Sequence, residues 1–168
     1  MAWTVFPTWA VGQVSLASDW NTYVAGNMQW LATPPILRAY RLTGMNTIAA
    51  TGQIIPYDTV QEDTLLGYVV GTSLYTVPVA GEYFCAAGIT VNAGTDVEYL
   101  TAYVTLTGSP AISSDGTFSA ATALTAKAVG LVRCIVGDTL SGTYDAQSAW
   151  VCIVTSYATA LHLVKVSN

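Results

Sequence analysis

Short segments of alternating apolar and polar residues fill the chain from residue 36 onward. Because successive side chains of a β-strand point to opposite faces, this alternation predicts strands with one buried face. The predicted strands are Ile36–Leu42, Gln53–Tyr57, Leu65–Val70, Leu74–Val77, Glu82–Val91, Val97–Leu106, Leu124–Val136, Thr139–Tyr144, Trp150–Tyr157 and Leu161–Val166. Many short strands separated by turn residues predict an all-β sandwich.

A Pro-Val-Ala-Gly corner joins two of these strands, between Val77 and Glu82. Pro78 cannot donate to a strand ladder, and Gly81 can take a positive φ, so the corner ends one strand and turns the chain into the next. Further along, Thr107–Ala123 is rich in Ser, Gly and Ala. This composition predicts a long surface loop.

The first thirty residues have a different composition, with four of the five tryptophans. Ser18 is predicted to cap a helix whose aromatic face ends before Pro34 and Pro35. Upstream, Pro7 predicts an extended arm, and the alternative is a strand packed on its own domain. The predicted anchoring residues are Trp3, Phe6, Trp9, Trp20, Tyr23 and Trp30. The partner of this aromatic surface is left open between the same chain, sister helices about a threefold axis, and another protein.

Charged residues make up only 9% of the chain, against about 25% in an ordinary soluble domain. Since subunit interfaces are depleted of charge, we expect copies of the chain to cover much of the surface. The alternative is that Thr and Ser hydrate the surface unaided. The net charge is −5 and the five basic residues are scattered, which argues against nucleic-acid binding. The absence of basic residues before Arg38, and of an apolar run of about 18 residues, argues against a signal peptide and membrane insertion.

Few residues are suited to catalysis or metal binding. The single histidine, His162, lies on an apolar strand, and a pairing with Cys85, Cys134 or Cys152 is the catalytic alternative to a structural role. The three cysteines are predicted to be buried free thiols. Asp58, Glu62 and Asp63 are predicted to be solvated loop carboxylates, with a calcium site as the alternative. We therefore expect no enzyme, no metal site and no cofactor.

The corner sequence TVPVAGEYFC, residues 76–85, resembles the T-x-P-x-x-G-x-Y-x-F signature of tumour necrosis factor and complement-type globular domains. Residues 131–140 and 160–166 resemble the late turn and closing strand of the same family. Pro78, Gly81 and Tyr83 are the fold-defining positions of this match. The resemblance implies a trimerising jelly-roll sandwich over residues 35–168, preceded by an N-terminal arm and one short α-helix in residues 1–34.

The N-terminal segment of residues 1–34, which we call the leader, resembles a second group of proteins. Residues 11–31, followed by Pro34-Pro35 and by Arg38-Ala39-Tyr40, are similar to the G-x-x-x-x-A-x-D-x-N-x-x-V-x-x-N-x-x-x-L leader and P-P-x-x-R-x-Y motif of tailed-bacteriophage virion proteins. Together the two resemblances imply a structural virion protein, assembled in the host cytoplasm. The expected protein is a homotrimeric decoration (minor capsid) protein that binds the major capsid protein, or another virion protein, and stabilises the head surface. The alternative is a tail or head fibre adhesin that recognises the host cell surface through Asn92–Glu98 and Thr107–Ala123.

Overall fold

The structure is a computed structural model that describes residues 8, 11–14, 16–25, 27–28, 34–45, 47, 49–92, 99–117, 124–147, 149, 151–152 and 159–167. The chain divides into two compact units, Met1–Pro34 with Asn168, and Pro35–Ser167.

The first unit contains a short helical segment. Helix α1 covers Ala17–Asp19 and continues as a π-helical stretch over Trp20–Ala25. Leu16 occupies the N-cap position, so the predicted cap at Ser18 is wrong. The reason is that Asp19 reaches back one turn, and its Oδ2 accepts a hydrogen bond from the Leu16 N–H at 2.9 Å.

The second unit is built from eleven strands. They are β1 Ile36–Tyr40, β2 Ala50–Ile54, β3 Thr59–Asp63, β4 Tyr68–Val69, β5 Leu74–Thr76, β6 Gly81–Val91, β7 Tyr99–Leu106, β8 Ser109–Thr117, β9 Leu124–Cys134, β10 Thr139–Ala146 and β11 Ala160–Ser167. The first sheet has the order β3-β1-β11-β6-β9, and the second has the order β4-β5-β10-β7-β8, with β2 also paired to β10. The strand pairings are antiparallel. The predicted sandwich is confirmed.

The core lies between the two sheets because alternate residues of each long strand face inward. Leu161 and Leu163 of β11 are at most 1% exposed, and so are Leu100 and Val104 of β7. Burying such apolar side chains is the main favourable term in folding. The same alternation sends the intervening residues outward, and the two outward faces differ in chemistry.

The corner before β6 has the geometry that its sequence requires. Gly81 has φ +147°, and a Cβ added there would collide with the Ser167 carbonyl oxygen and lie 2.6 Å from the Lys165 Cε. Tyr83 is buried, and its hydroxyl donates a hydrogen bond to the Val79 carbonyl at 2.7 Å. Pro78 is exposed at the outside of the turn. Only glycine satisfies both the backbone angle and the space at position 81.

Three segments differ from the prediction. Residues 109–117 form strand β8, so the predicted loop over Thr107–Ala123 is wrong in this part. An edge strand pairs on one side only, here with β7, and therefore needs less apolar patterning than a central strand. Thr59–Asp63 forms β3, which was not predicted, and the strand expected over Leu65–Val70 shortens to Tyr68–Val69.

One further strand is shifted, and another lies mostly outside the described residues. The strand expected over Gln53–Tyr57 is shifted to Ala50–Ile54. Of the segment Trp150–Tyr157, residues 151–152 are described, and Cys152 forms an isolated bridge with Val91. The other predicted strands are found within a few residues of their expected ends.

Candidate interaction surfaces

The predicted anchoring residues lie in the first unit. Trp20 is 56% exposed, and Tyr23 is half-buried, on the helical segment Ala17–Ala25. Trp3, Phe6, Trp9 and Trp30 lie outside the described residues. The anchoring role of all six residues remains a prediction.

The outward face of the first sheet carries an apolar band, formed by Phe84, Val129, Leu131, Val164 and Val166. Phe84 lies directly between Val164 and Leu131 in the pairing of β11, β6 and β9. Phe84 is 41% exposed and Leu131 is 59% exposed. Neighbouring apolar side chains on one outward face are a common feature of protein–protein contact surfaces.

Charged residues of both signs border this apolar band. On one side Arg38 forms an ion pair with Glu62, with an N–O distance of 3.5 Å. On the other side Glu82 of β6 lies opposite Arg133 of β9. A margin with both signs can meet a second copy of itself without a net charge clash.

His162 lies on the same outward face, between β1 and β6. Its ring packs edge-on against Tyr40, with ring centroids 5.3 Å apart. Burial lowers the pKa of His162, and the positive charges of Arg38 and Lys127 lower it further. The adjacent Leu161 and Leu163 face the core, as Cys85 does. His162 and Cys85 therefore point to opposite faces of the sheet, and this histidine–cysteine pairing does not form.

The three cysteines are buried free thiols, as predicted. Burial, and then the neighbouring Cys134, raise the pKa of Cys85 to about 12. Burial, and then Asp138, raise the pKa of Cys134 to about 11, and burial also raises that of Cys152. A thiol that stays protonated at neutral pH is a poor nucleophile.

The acidic residues Asp58 and Asp63, near β3, form hydrogen bonds to the backbone. Asp58 accepts hydrogen bonds from the N–H groups of Leu42 and Thr43, each at 2.9 Å. Burial would raise the pKa of Asp58, but these and other hydrogen bonds outweigh it and lower the pKa to about 2. Asp63 accepts a hydrogen bond from the Tyr68 N–H at 2.8 Å. Asp58 and Asp63 are partly exposed, and both carboxylates fix turns of the backbone.

The outward face of the second sheet contains a concave region with a polar floor and partly apolar walls. A groove of about 550 Å³ runs over β10 between β2 and β7, and its floor contains Ser141, Thr143 and Asp145. We call it the hydroxyl groove. The sequence contains a signal for this groove. The outward positions of Thr139–Ala146 are all polar, whereas those of Leu124–Cys134 include Val129 and Leu131.

Comparison with known proteins identifies the fold. The globular domain of zebrafish complement 1qA matches with a TM-score of 0.55 at 13% identity, over 80% of this chain and 99% of that domain. The fold is a jelly-roll sandwich of the C1q and tumour necrosis factor type. The jelly roll predicted from the corner sequence is thus confirmed. No known protein family matches the sequence, and neither does any curated protein.

Two kinds of feature are absent from the described residues. No described helix is long and apolar enough to cross a membrane. Within the same part of the chain, no three His, Cys, Asp or Glu residues are placed to hold a metal ion together.

Proposed function

We propose that the chain is a homotrimeric virion protein of a bacteriophage, which decorates the capsid surface and stabilises the head. The observation that supports a homotrimer is the apolar band on the first sheet, together with its margin of mixed charges. The tumour necrosis factor and complement resemblance supplies the threefold symmetry. The leader resemblance over residues 11–31 supports a place for the chain in a bacteriophage virion.

Assembly through the apolar band accounts for the composition of the chain. Each copy would remove Phe84, Val129 and Leu131 from water, at about 25 cal/mol for each Å² of apolar surface buried, before the costs of association. The polar second sheet would then form the outside of the trimer. This arrangement explains how a chain with 9% charged residues avoids exposing its apolar surface.

Attachment to the particle is assigned to residues 1–34. An exposed aromatic side chain such as Trp20 buries a large apolar area in a small contact. Three leaders on one trimer would bind together, because the first contact raises the effective concentration of the other two. The strand residues and the jelly-roll core lie in the other unit, Pro35–Ser167.

The attachment is tested on particles that lack the chain. Purified full-length chain and a chain without residues 1–34 are mixed with these particles and sedimented. We expect both to be trimers and only the full-length chain to sediment with particles. Trp20→Ala should weaken binding about tenfold, whereas Met28→Ala, which removes another exposed side chain of the same unit, should leave it unchanged. Normal binding by the truncated trimer would refute the anchoring role.

The number of bound copies separates decoration from the fibre alternative. A decoration protein saturates at hundreds of copies for each head, and a fibre adhesin at a handful. Quantitative mass spectrometry of intact particles gives this number.

A further inference from the structure

The hydroxyl groove has the size and shape of a ligand site. Its volume of about 550 Å³ lies within the range of roughly 300–1,000 Å³ that small-molecule sites occupy. Strand β10 forms the floor, and strands β2, β5 and β7 and the turn into β8 form the walls. The groove lies within the jelly-roll unit.

Asp145 stands at one end of the groove with its carboxylate held in place. Its Oδ2 accepts a hydrogen bond from the Tyr103 hydroxyl at 2.7 Å, and its Oδ1 accepts one from the Gly52 N–H at 2.6 Å. A carboxylate has about four lone-pair positions. These two bonds therefore orient Asp145 and leave acceptor positions for a ligand hydroxyl.

Thr143 lies on the groove floor between Ile54 of β2 and Tyr103 of β7. It is 4% exposed, and its hydroxyl has no hydrogen-bond partner among the described residues. A buried hydroxyl without a partner is unfavourable, and such groups in native proteins commonly mark a site for water or a ligand. By contrast, the next outward hydroxyl of β10, that of Ser141, is hydrogen-bonded to Thr105 at 2.6 Å.

The walls of the groove add apolar surface beside these polar groups. Ile54 is 43% exposed, and Leu74 and Pro110 also line the groove. Among the described residues that line it, none is a lysine or an arginine, and Asp145 is the acidic one. This charge balance disfavours an anionic ligand.

We propose that the hydroxyl groove binds a neutral sugar unit, a hexose or an N-acetylhexosamine. Asp145 accepts hydrogen bonds from sugar hydroxyls, the Thr143 hydroxyl exchanges hydrogen bonds with another, and Ile54 and Leu74 contact the apolar C–H face of the ring. Free sugars and the terminal units of glycans share this chemistry. The site needs neither the trimer nor the virion, because β2, β5, β7 and β10 of one chain build it.

Saturation-transfer NMR on the full chain tests the proposal. The probes are glucose, galactose, mannose, N-acetylglucosamine and N-acetylgalactosamine, with glucuronic acid as the anionic comparison. We expect saturation transfer to at least one neutral sugar and weaker transfer to glucuronic acid. Absence of transfer to all five neutral sugars would overturn the proposal, and so would a preference for glucuronic acid.

Two variants place the sugar in the groove. Thr143→Val and Asp145→Asn should each weaken binding about tenfold, through loss of hydrogen bonds to the sugar. The matched control is Thr125→Val, on the opposite sheet, which should not change the affinity. Thr143→Val keeps the shape of the side chain, so it carries the test alone if Asp145→Asn lowers the Tm. Unchanged binding in Thr143→Val would also overturn the proposal.

Immobilised oligosaccharides that end in the sugar found by NMR identify its source. Tighter binding to the oligosaccharide than to the free sugar would support the site as a reader of glycan ends. Equal binding would support it as a site for a single sugar. Loss of binding to the oligosaccharide in Thr143→Val is expected in either case.

Discussion

The two sheets share one core, but their outward faces have opposite chemistry. The first sheet exposes Phe84, Val129 and Leu131, whereas the second presents Ser141, Thr143 and Asp145 in a groove. The core requires apolar residues only at inward positions, so the outward positions are free to serve other ends. The first face therefore has the chemistry for burial against copies of the chain, and the groove of the second has the chemistry for a ligand that carries hydroxyl groups.

The largest loss of stability should come from a substitution in the Pro-Val-Ala-Gly corner. Gly81→Val should lower the free energy of unfolding by about 3 kcal/mol or more, because it adds a backbone strain and a collision with Ser167. The control is Gly137→Ala, where φ is +92° but no atom lies within 4 Å of the added Cβ, and where about 1 kcal/mol is expected. Urea unfolding at one protein concentration measures both. Equal losses would contradict the assigned role of the close contact.

A charge on the apolar band should abolish assembly without unfolding the jelly roll. Leu131→Glu places a carboxylate at a position that is 59% exposed in the single chain, so the monomer tolerates it and the interface does not. Val69→Glu, at a site 53% exposed in the second sheet, is the matched control. Light scattering should give a monomer for the first variant and a trimer for the second. Monomers from both would show that the two faces do not differ in this way.

Two threonines of the second sheet differ in whether their hydroxyl is hydrogen-bonded. Thr105→Val should lower the free energy of unfolding by about 1 kcal/mol, because it removes the 2.6 Å hydrogen bond to Ser141. Thr143→Val should cost nothing or be slightly stabilising, because its hydroxyl has no partner among the described residues. Thermal unfolding of both variants checks this. A larger loss in Thr143→Val than in Thr105→Val would contradict an unpaired hydroxyl.

The smallest effect is the pH dependence of the first sheet. Burial, Arg38 and Lys127 hold the pKa of His162 below its usual 6.5, so the folded chain binds fewer protons than the unfolded chain as the pH falls through this value. Stability should therefore fall between about pH 7.5 and about pH 5.5.

The matched variant for this dependence is His162→Gln, which removes the titrating group. Its stability should change less with pH over the same range, measured by urea unfolding at each pH. An identical pH profile for the variant and the original chain would exclude His162 as the source.

The jelly roll could be predicted from the sequence because the residues of the Pro-Val-Ala-Gly corner determine its backbone geometry. Pro78, Gly81 and Tyr83 each have a local reason for their position, and the long strands have clear period-two patterns. The edge strands were missed or misplaced for the opposite reason. Among the described strands, β8 pairs only with β7. Few of its residues must therefore be apolar, and Ser109–Thr117 has the composition of a loop.

The two surfaces could be predicted only in part. Apolar residues on both faces of Leu124–Cys134 were visible in the sequence, but the alignment of Phe84 with Leu131 and Val164 depends on strand register. The hydroxyl groove depends on β2 and β7 both pairing with β10. These two pairings join residues about 90 and about 40 positions apart, and no local pattern specifies such contacts.

The mass of the full chain in solution shows whether the apolar band holds three copies together. If the apolar band of the first sheet is the interface between three copies, light scattering at micromolar concentration should give roughly 53 kDa, three times the 17.7 kDa of one chain. A mass of 17.7 kDa across the accessible concentration range would contradict the claim.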